Sequence, residues 1–81
     1  MPNFYKNVEQ VDRLCEAYTK RITFEAHDRE LSAVEDEQFD KFNDFRVMAK
    51  MLLTSEKPDW MELEKLRWRV ERLILERNLN E

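Results

Sequence analysis

The sequence contains no glycine among its 81 residues. Tight β-hairpins need residues that accept a positive φ angle, and phosphate-binding loops need glycine so that the backbone can approach the ligand. Hairpin-rich sheets, phosphate-binding loops and dinucleotide-binding motifs are therefore disfavoured. Proline is also scarce, because it occurs only at Pro2 and Pro58. Few residues interrupt a helical chain, and these absences favour helices joined by short polar turns.

Cysteine and long apolar runs are scarce as well. Cys15 is the single cysteine, and its place among the apolar positions of the first predicted helix favours a small buried side chain over a reactive thiol. No stretch approaches the roughly 18 apolar residues of a membrane span, and residues 1–6 lack the basic and apolar regions of a signal peptide. We therefore expect a cytoplasmic protein that does not enter a membrane.

Charged residues make up 40% of the chain and hydrophobic residues 42%. A charge-rich composition with regularly spaced apolar residues is typical of helical bundles and coiled coils. The length of the chain corresponds to one domain, residues 1–81. The first predicted helix spans residues 4–26. Its apolar positions are three or four residues apart, as in a heptad pattern: Phe4, Val8, Val11, Cys15, Tyr18 and Ile22.

Two further helices are predicted after polar breaks. Ser32 and Glu35 have the spacing of a capping box, so the second helix is placed at residues 33–54. Proline favours the first turn of a helix, so the third is placed at residues 58–77, starting near Pro58. Asn78, Asn80 and Glu81 are expected to fray. The predicted fold is all-α, an antiparallel three-helix bundle made of a helical hairpin and a third amphipathic helix. We expect the chain to form a homo-oligomer such as a dimer.

The third helix carries two apolar stripes, roughly 170° apart at 100° per residue. We call the first the core stripe, and it contains Leu63, Leu66, Val70, Leu73 and Ile74. We call the second the outer stripe, and it contains Met61, Trp68, Leu75 and Leu79. A helix that packs once needs one stripe, so the outer stripe requires cover from another helix of the chain, a second copy or a different protein. Trp68 is the favoured anchor for a partner, because tryptophan is enriched at binding hot spots; burial of Trp68 within the chain is the alternative.

Negative charge is concentrated in residues 28–44, which hold seven acidic and two basic residues. We call the following six residues the acidic patch: Glu30, Glu35, Asp36, Glu37, Asp40 and Asp44. One interpretation is a solvated helix start whose acids favour the helix dipole. The other is a recognition surface for a basic or nucleic-acid-associated protein. Direct nucleic-acid binding is disfavoured, because the arginines of the third helix are balanced by glutamates.

Catalytic signals are weak throughout the sequence. His27 is the only histidine, and its acidic neighbours lack the spacing of a metal-ligand set. No general base is evident near Cys15. We therefore expect no enzymatic activity, no cofactor and no metal. The predicted function is a small acidic interaction module that regulates or inhibits a partner protein by docking. The alternatives are a structural protein that self-assembles as a homodimer, and a modulator of a DNA-binding protein through the acidic patch.

Seven residues within 30–46 stand at the same spacings as in a known group of proteins: Glu30, Leu31, Ser32, Glu35, Phe39, Asp44 and Arg46. In this stretch, about a fifth of the chain, the sequence resembles the Hha family of small helical bacterial proteins. The resemblance implies a helical regulator of a nucleoid protein. Phe45 stands where that family has a histidine, and the long final helix has no counterpart there. We therefore do not assign the chain to the family.

Overall fold

The computed structural model describes residues 3–79, which form three α-helices. Helix α1 spans Phe4–Ala26, α2 spans Ala33–Leu53 and α3 spans Trp60–Leu79. No strand occurs within the described residues, so the predicted all-α class is confirmed. The bounds of α1 agree with the prediction, and α2 ends one residue earlier than predicted. Asn78 belongs to α3 and is not frayed, whereas Asn80 and Glu81 lie outside the described residues.

The starts of α2 and α3 are set by side chains that accept hydrogen bonds from free backbone N–H groups. The Glu35 backbone N–H donates to Ser32 Oγ at 3.2 Å, and the Ser32 N–H donates to Glu35 Oε1 at 3.0 Å. The predicted capping box is therefore confirmed. At α3 the Glu62 N–H donates to Asp59 Oδ1 at 3.2 Å. The predicted start at Pro58 was wrong by two residues, because Asp59 acts as the cap and Trp60 begins the helix.

The turn after α1 has an unusual backbone conformation. His27 has φ 53° and ψ −121°, and no other residue in 3–79 has a positive φ. This combination is typical of glycine at the first central position of a type II′ turn. A residue with a Cβ atom is strained there. The His27 N–H donates to the carbonyls of Thr23 and Phe24 at 3.2 and 3.1 Å, which ends the helix.

Aromatic contacts join the ends of the helices. The Tyr5 hydroxyl of α1 donates to the Ser55 carbonyl just beyond α2, at 2.8 Å. The Phe4 ring meets the ring of Trp60 edge-on, with 5.3 Å between centroids, so the starts of α1 and α3 are in contact. The closest packing is between α1 and α2. No helix within residues 3–79 has the length and apolar character that crossing a membrane requires.

All three helices contribute to one buried core. Four residues of the core stripe are buried and Ile74 is partly buried, as its spacing predicts. Of the six apolar positions predicted on α1, five are buried; Tyr18 is half-buried and stacks on Phe42 with ring centroids 5.0 Å apart. The buried apolar cluster consists of Phe4, Val8, Val11, Cys15, Ile22, Phe42, Ala49, Leu63, Leu66, Val70 and Leu73.

A buried arginine connects the three helices. Arg77 of α3 is only 5% exposed. Its Nη1 donates to Oε1 of Gln38 on α2 at 3.1 Å, and its Nη2 forms an ion pair with Glu25 of α1. Gln38 is also buried. The guanidinium therefore reaches the core region without leaving its charge or its donors unsatisfied.

A second arginine holds α1 and α2 together at the half-buried edge of their contact. Arg46 Nε donates to Asp12 Oδ1 at 3.0 Å, and Arg46 Nη2 donates to Glu16 Oε2 at 3.1 Å. Lys20 contributes to the same group of charges, because its ammonium lies 2.8 Å from Glu16 Oε1. The hydrogen bond from Lys20 and the charges of Lys20 and Arg46 lower the pKa of the Glu16 carboxyl below its ordinary range.

Candidate functional site

The outer stripe of α3 is exposed along its whole length. Met61 is 70% exposed, Trp68 59%, Leu75 59% and Leu79 77%. The opposite side of α3 carries the core stripe and faces α1 and α2. Lys41 and Phe45 of α2 line a shallow cavity together with Trp68, but neither neighbouring helix covers the outer stripe. The alternative in which Trp68 is buried within the chain is therefore wrong.

Trp68 lies at the middle of the stripe with an arginine over its ring. The Arg72 guanidinium carbon is 5.1 Å from the ring centroid, within the range of a cation–π interaction. Arg72 Nε also lies 3.8 Å from Glu76 Oε1. These contacts order one side of the indole, while more than half of the residue remains open to solvent. Trp68 is the largest side chain of the exposed stripe.

Charges of opposite sign border the two sides of the outer stripe. Glu64 and Glu71 lie on one side, and we call this pair the acidic flank. Lys65 and Arg72 lie on the other side, and we call this pair the basic flank. At 100° per residue both pairs lie within roughly 65° of the line through Trp68. All four side chains are exposed, so any helix laid on the stripe would meet an acidic edge and a basic edge.

The flank charges are only weakly neutralised within α3. Three of the four flank charges have a partner within α3: Glu64 Oε1 is 3.9 Å from Arg67 Nη1, Lys65 Nζ is 3.4 Å from Glu62 Oε1, and Arg72 Nε is 3.8 Å from Glu76 Oε1. Exposed pairs of this kind contribute little, about 0–1 kcal/mol each. Glu71 forms no ion pair within the part of the chain that the structure describes. The acidic and basic flanks thus retain charge that can act on a partner.

The acidic patch does not form one uniform surface. Arg29 donates two hydrogen bonds to Glu35, from Nη1 to Oε1 at 2.6 Å and from Nη2 to Oε2 at 2.8 Å. Together with the bonds in the capping box, this pairing lowers the pKa of the Glu35 carboxyl to about 2. Glu37 is also paired, because Lys41 Nζ lies 3.1 Å from its Oε1. The carboxylate of Glu35 is therefore engaged within the turn.

The remaining acids of the patch are exposed. Asp36, Asp40 and Asp44 are spaced four residues apart on the side of α2 that faces away from the core, and none has an ion pair within residues 3–79. We call these three residues the aspartate line. Glu30 is exposed in the preceding turn. The sequence indicated where the negative charge lies, but not which of the acids are paired. The Arg29–Glu35 pair could not be predicted, because it depends on the path of the turn.

A shallow groove lies between the end of α2 and the start of α3. It has a volume of about 310 Å³ and is lined in part by Met48, Met51, Leu66 and Arg69. Arg69 borders both this groove and the surface around Trp68. Met51 is exposed. Apolar spacing on α2 alone cannot locate the groove, because the groove forms only where the two helices meet.

The residues considered for chemistry lie apart from these surfaces. Cys15 is fully buried, and burial, with the nearby Asp12 carboxylate, raises the pKa of its thiol to about 12. The thiol therefore stays protonated at neutral pH and is a poor nucleophile. His27 is exposed in its turn, and its Nε2 lies 3.4 Å from Asp28 Oδ2. Within residues 3–79 no three His, Cys, Asp or Glu side chains are grouped so that they could hold a metal ion.

The chain matches no protein-family model, and no curated protein or solved structure is detectably similar to it. The resemblance of residues 30–46 to the Hha family consequently receives no support from these comparisons.

Proposed function

We propose that this protein is a non-enzymatic interaction module that regulates or inhibits a partner protein by docking through the outer stripe of α3. The exposure of Met61, Trp68, Leu75 and Leu79 along one helix face carries this proposal. Soluble monomers rarely leave large contiguous apolar patches open, and such patches are characteristic of interaction sites. Side chains seven residues apart recur about every 10 Å along a helix, which suits contact with another helix.

The arrangement behind the stripe supports a rigid docking face. We infer that the three helices form an antiparallel bundle within a single domain. In support, α1 contacts the end of α2 through Tyr5 and Ser55, and Arg77 joins α3 to both other helices. Because the core stripe packs against α1 and α2, α3 can present its opposite side to a partner without reorganisation. Preorganised surfaces lose less conformational entropy on binding.

Trp68 is the proposed anchor of the contact. More than half of the residue stays exposed in the folded chain, so a partner can still bury much of it. Truncation of a hot-spot tryptophan typically weakens association by about 2 kcal/mol or more. We therefore expect Trp68→Ala to reduce binding strongly while it leaves the helical content of the separated chain nearly unchanged.

Affinity capture from the native host tests this proposal with a matched control. Phe24→Ala is the control, because Phe24 is 82% exposed and lies on α1, outside the outer stripe. We expect a stoichiometric partner with the wild-type chain and with Phe24→Ala, and its loss with Trp68→Ala. Retention of the partner by Trp68→Ala, or equal loss with both variants, would refute docking through the outer stripe.

The aspartate line supports a second candidate, a contact with a basic or nucleic-acid-associated protein. Asp36, Asp40 and Asp44 are exposed and have no ion pairs within the described residues. Exposed charges steer association and are screened over about 10 Å at 0.1 M salt. We expect Asp36→Lys with Asp40→Lys to slow association and to flatten its salt dependence. Unchanged association rates would exclude this surface. A cytoplasmic location and the lack of direct nucleic-acid binding stay predictions from the sequence.

A further inference from the structure

We propose that the occupant of the outer stripe is a second copy of the same stripe, and that the two α3 helices lie parallel in a two-fold symmetric dimer. This inference rests on the proposed function, because it takes the outer stripe as the docking face and names what covers it when no foreign partner is bound. The opposite charges of the acidic and basic flanks carry the inference.

Symmetry decides which flanks meet. When two identical helices pack in parallel about a two-fold axis, the left edge of one stripe faces the right edge of the other. The acidic flank of each chain then faces the basic flank of its partner. When the helices pack antiparallel, each edge faces the same edge of the partner. Acidic would then face acidic and basic would face basic, whatever the register, and like charges in contact oppose association.

The spacing along α3 sets the register of the parallel pair. The acidic and basic residues occur as neighbours in sequence, Glu64 beside Lys65 and Glu71 beside Arg72, so each acid lies at nearly the same height as a base. In register, Glu64 faces Lys65 of the partner subunit and Glu71 faces Arg72 of the partner subunit. Trp68 then packs against Trp68 of the partner subunit at the centre of the contact.

The size of the face indicates a weak dimer. A helix of 20 residues is about 30 Å long, and one such face is at the small end of specific interfaces, which bury roughly 1,200–2,000 Å² in total. The apolar layers supply the attraction, and the flank charges select orientation and register more than strength. We therefore expect a monomer–dimer equilibrium that depends on protein concentration.

Cysteine cross-linking tests the orientation. In the parallel dimer Leu75 faces Leu75 of the partner subunit, so we expect Leu75→Cys alone to give a disulfide-linked dimer on mild oxidation. The native Cys15 does not compete, because it is buried and its thiol stays protonated. Val47→Cys is the control, because Val47 is exposed on α2, away from the stripe. Cross-linking that requires a mixture of Met61→Cys and Leu75→Cys chains would indicate antiparallel packing and overturn the inference.

A flank-exchanged chain tests the charges without changing composition or net charge. It carries Glu64→Lys, Lys65→Glu, Glu71→Arg and Arg72→Glu. In a parallel dimer this chain still pairs with itself, but its flanks meet like charges on a wild-type partner. We expect mixed dimers to be weaker than the self-association of the flank-exchanged chain, by roughly tenfold or more. Equal or preferred mixing with the wild-type chain would contradict parallel pairing.

Sedimentation over about 1–500 µM, around the range of weak complexes, separates this inference from the proposed function. A chain that stays monomeric throughout overturns the homodimer. The proposed function is then tested separately by the affinity capture, in which a foreign partner should be lost with Trp68→Ala. A dimer that dissociates with Trp68→Ala and persists with Phe24→Ala supports the inference. A dimer unaffected by Trp68→Ala overturns it, because another face would then hold the two copies together.

Discussion

Replacement of the buried Arg77 by methionine should destabilise the folded chain by about 2 kcal/mol. Methionine keeps an unbranched apolar stem in the buried position but removes the donors to Gln38 and Glu25. Gln38 is 7% exposed, and a buried amide left without its partner costs about 1–3 kcal/mol. Glu25 is partly exposed and can turn to water. Relief of the buried guanidinium charge offsets part of the lost hydrogen bonding.

Urea and thermal unfolding followed by circular dichroism, at a concentration where the chain is monomeric, measure this effect. In a domain of this size 1 kcal/mol shifts Tm by about 4–8 °C, so we expect a decrease of roughly 10 °C. Arg69→Met is the matched control, because Arg69 is exposed and has no ion pair within the described residues; it should change stability by less than about 0.5 kcal/mol. Adding Gln38→Leu to Arg77→Met should restore part of the loss.

A stability of Arg77→Met within about 0.5 kcal/mol of wild type would refute the reasoning. It would mean that Gln38 finds another hydrogen-bond partner, or that the free energy needed to desolvate the guanidinium equals the stabilisation from its hydrogen bonds. A double variant no more stable than Arg77→Met would show that the unpaired amide is not the source of the loss.

Three further predictions follow from the turn regions and the core. The pKa of Glu35 in the folded chain lies below its ordinary 4.5, at about 2. The Glu35 carboxylate therefore stabilises the fold above about pH 4.5, and this contribution is lost as the pH falls towards 2. Urea titrations should show Glu35→Gln less stable than wild type at pH 6 and equally stable near pH 2. His27→Gly should raise the free energy of unfolding by about 1 kcal/mol, since relief of backbone strain exceeds the entropy that glycine adds to the unfolded chain; equal or lower stability would contradict the strain. Cys15 should react with a disulfide reagent at pH 8 only as fast as the chain unfolds, so rapid labelling under native conditions would contradict its burial.

The helices and the core stripe were predictable because their signals are local. Spacings of three and four place the apolar residues of α1 on one face, and the Ser32–Glu35 box marks a helix start within four residues. The start of α3 was predicted near Pro58, because proline favours the first turn of a helix. The side chain of Asp59 reaches the backbone N–H of Glu62, and this hydrogen bond selects the later start.

The polar contacts between helices could not be predicted in the same way. Glu25, Gln38 and Arg77 are far apart in sequence, and their meeting depends on how the helices turn and pack. Periodicity placed the outer stripe opposite the core stripe on α3. It could not exclude cover by α1 or α2, because that depends on which sides of α3 they occupy. The division of the acidic patch likewise depends on Arg29, whose reach to Glu35 follows from the shape of the turn.

The two tryptophans of α3 provide separate optical reporters. Trp60 lies edge-on against Phe4, where the starts of α1 and α3 meet, whereas Trp68 lies on the outer stripe beneath Arg72. In a Trp60→Phe chain all tryptophan emission comes from Trp68, so it would report when the outer stripe becomes covered. The emission of a Trp68→Phe chain would follow separation of the two helix starts. Fluorescence of the two single-tryptophan chains, titrated side by side without a label, can thus distinguish docking from unfolding.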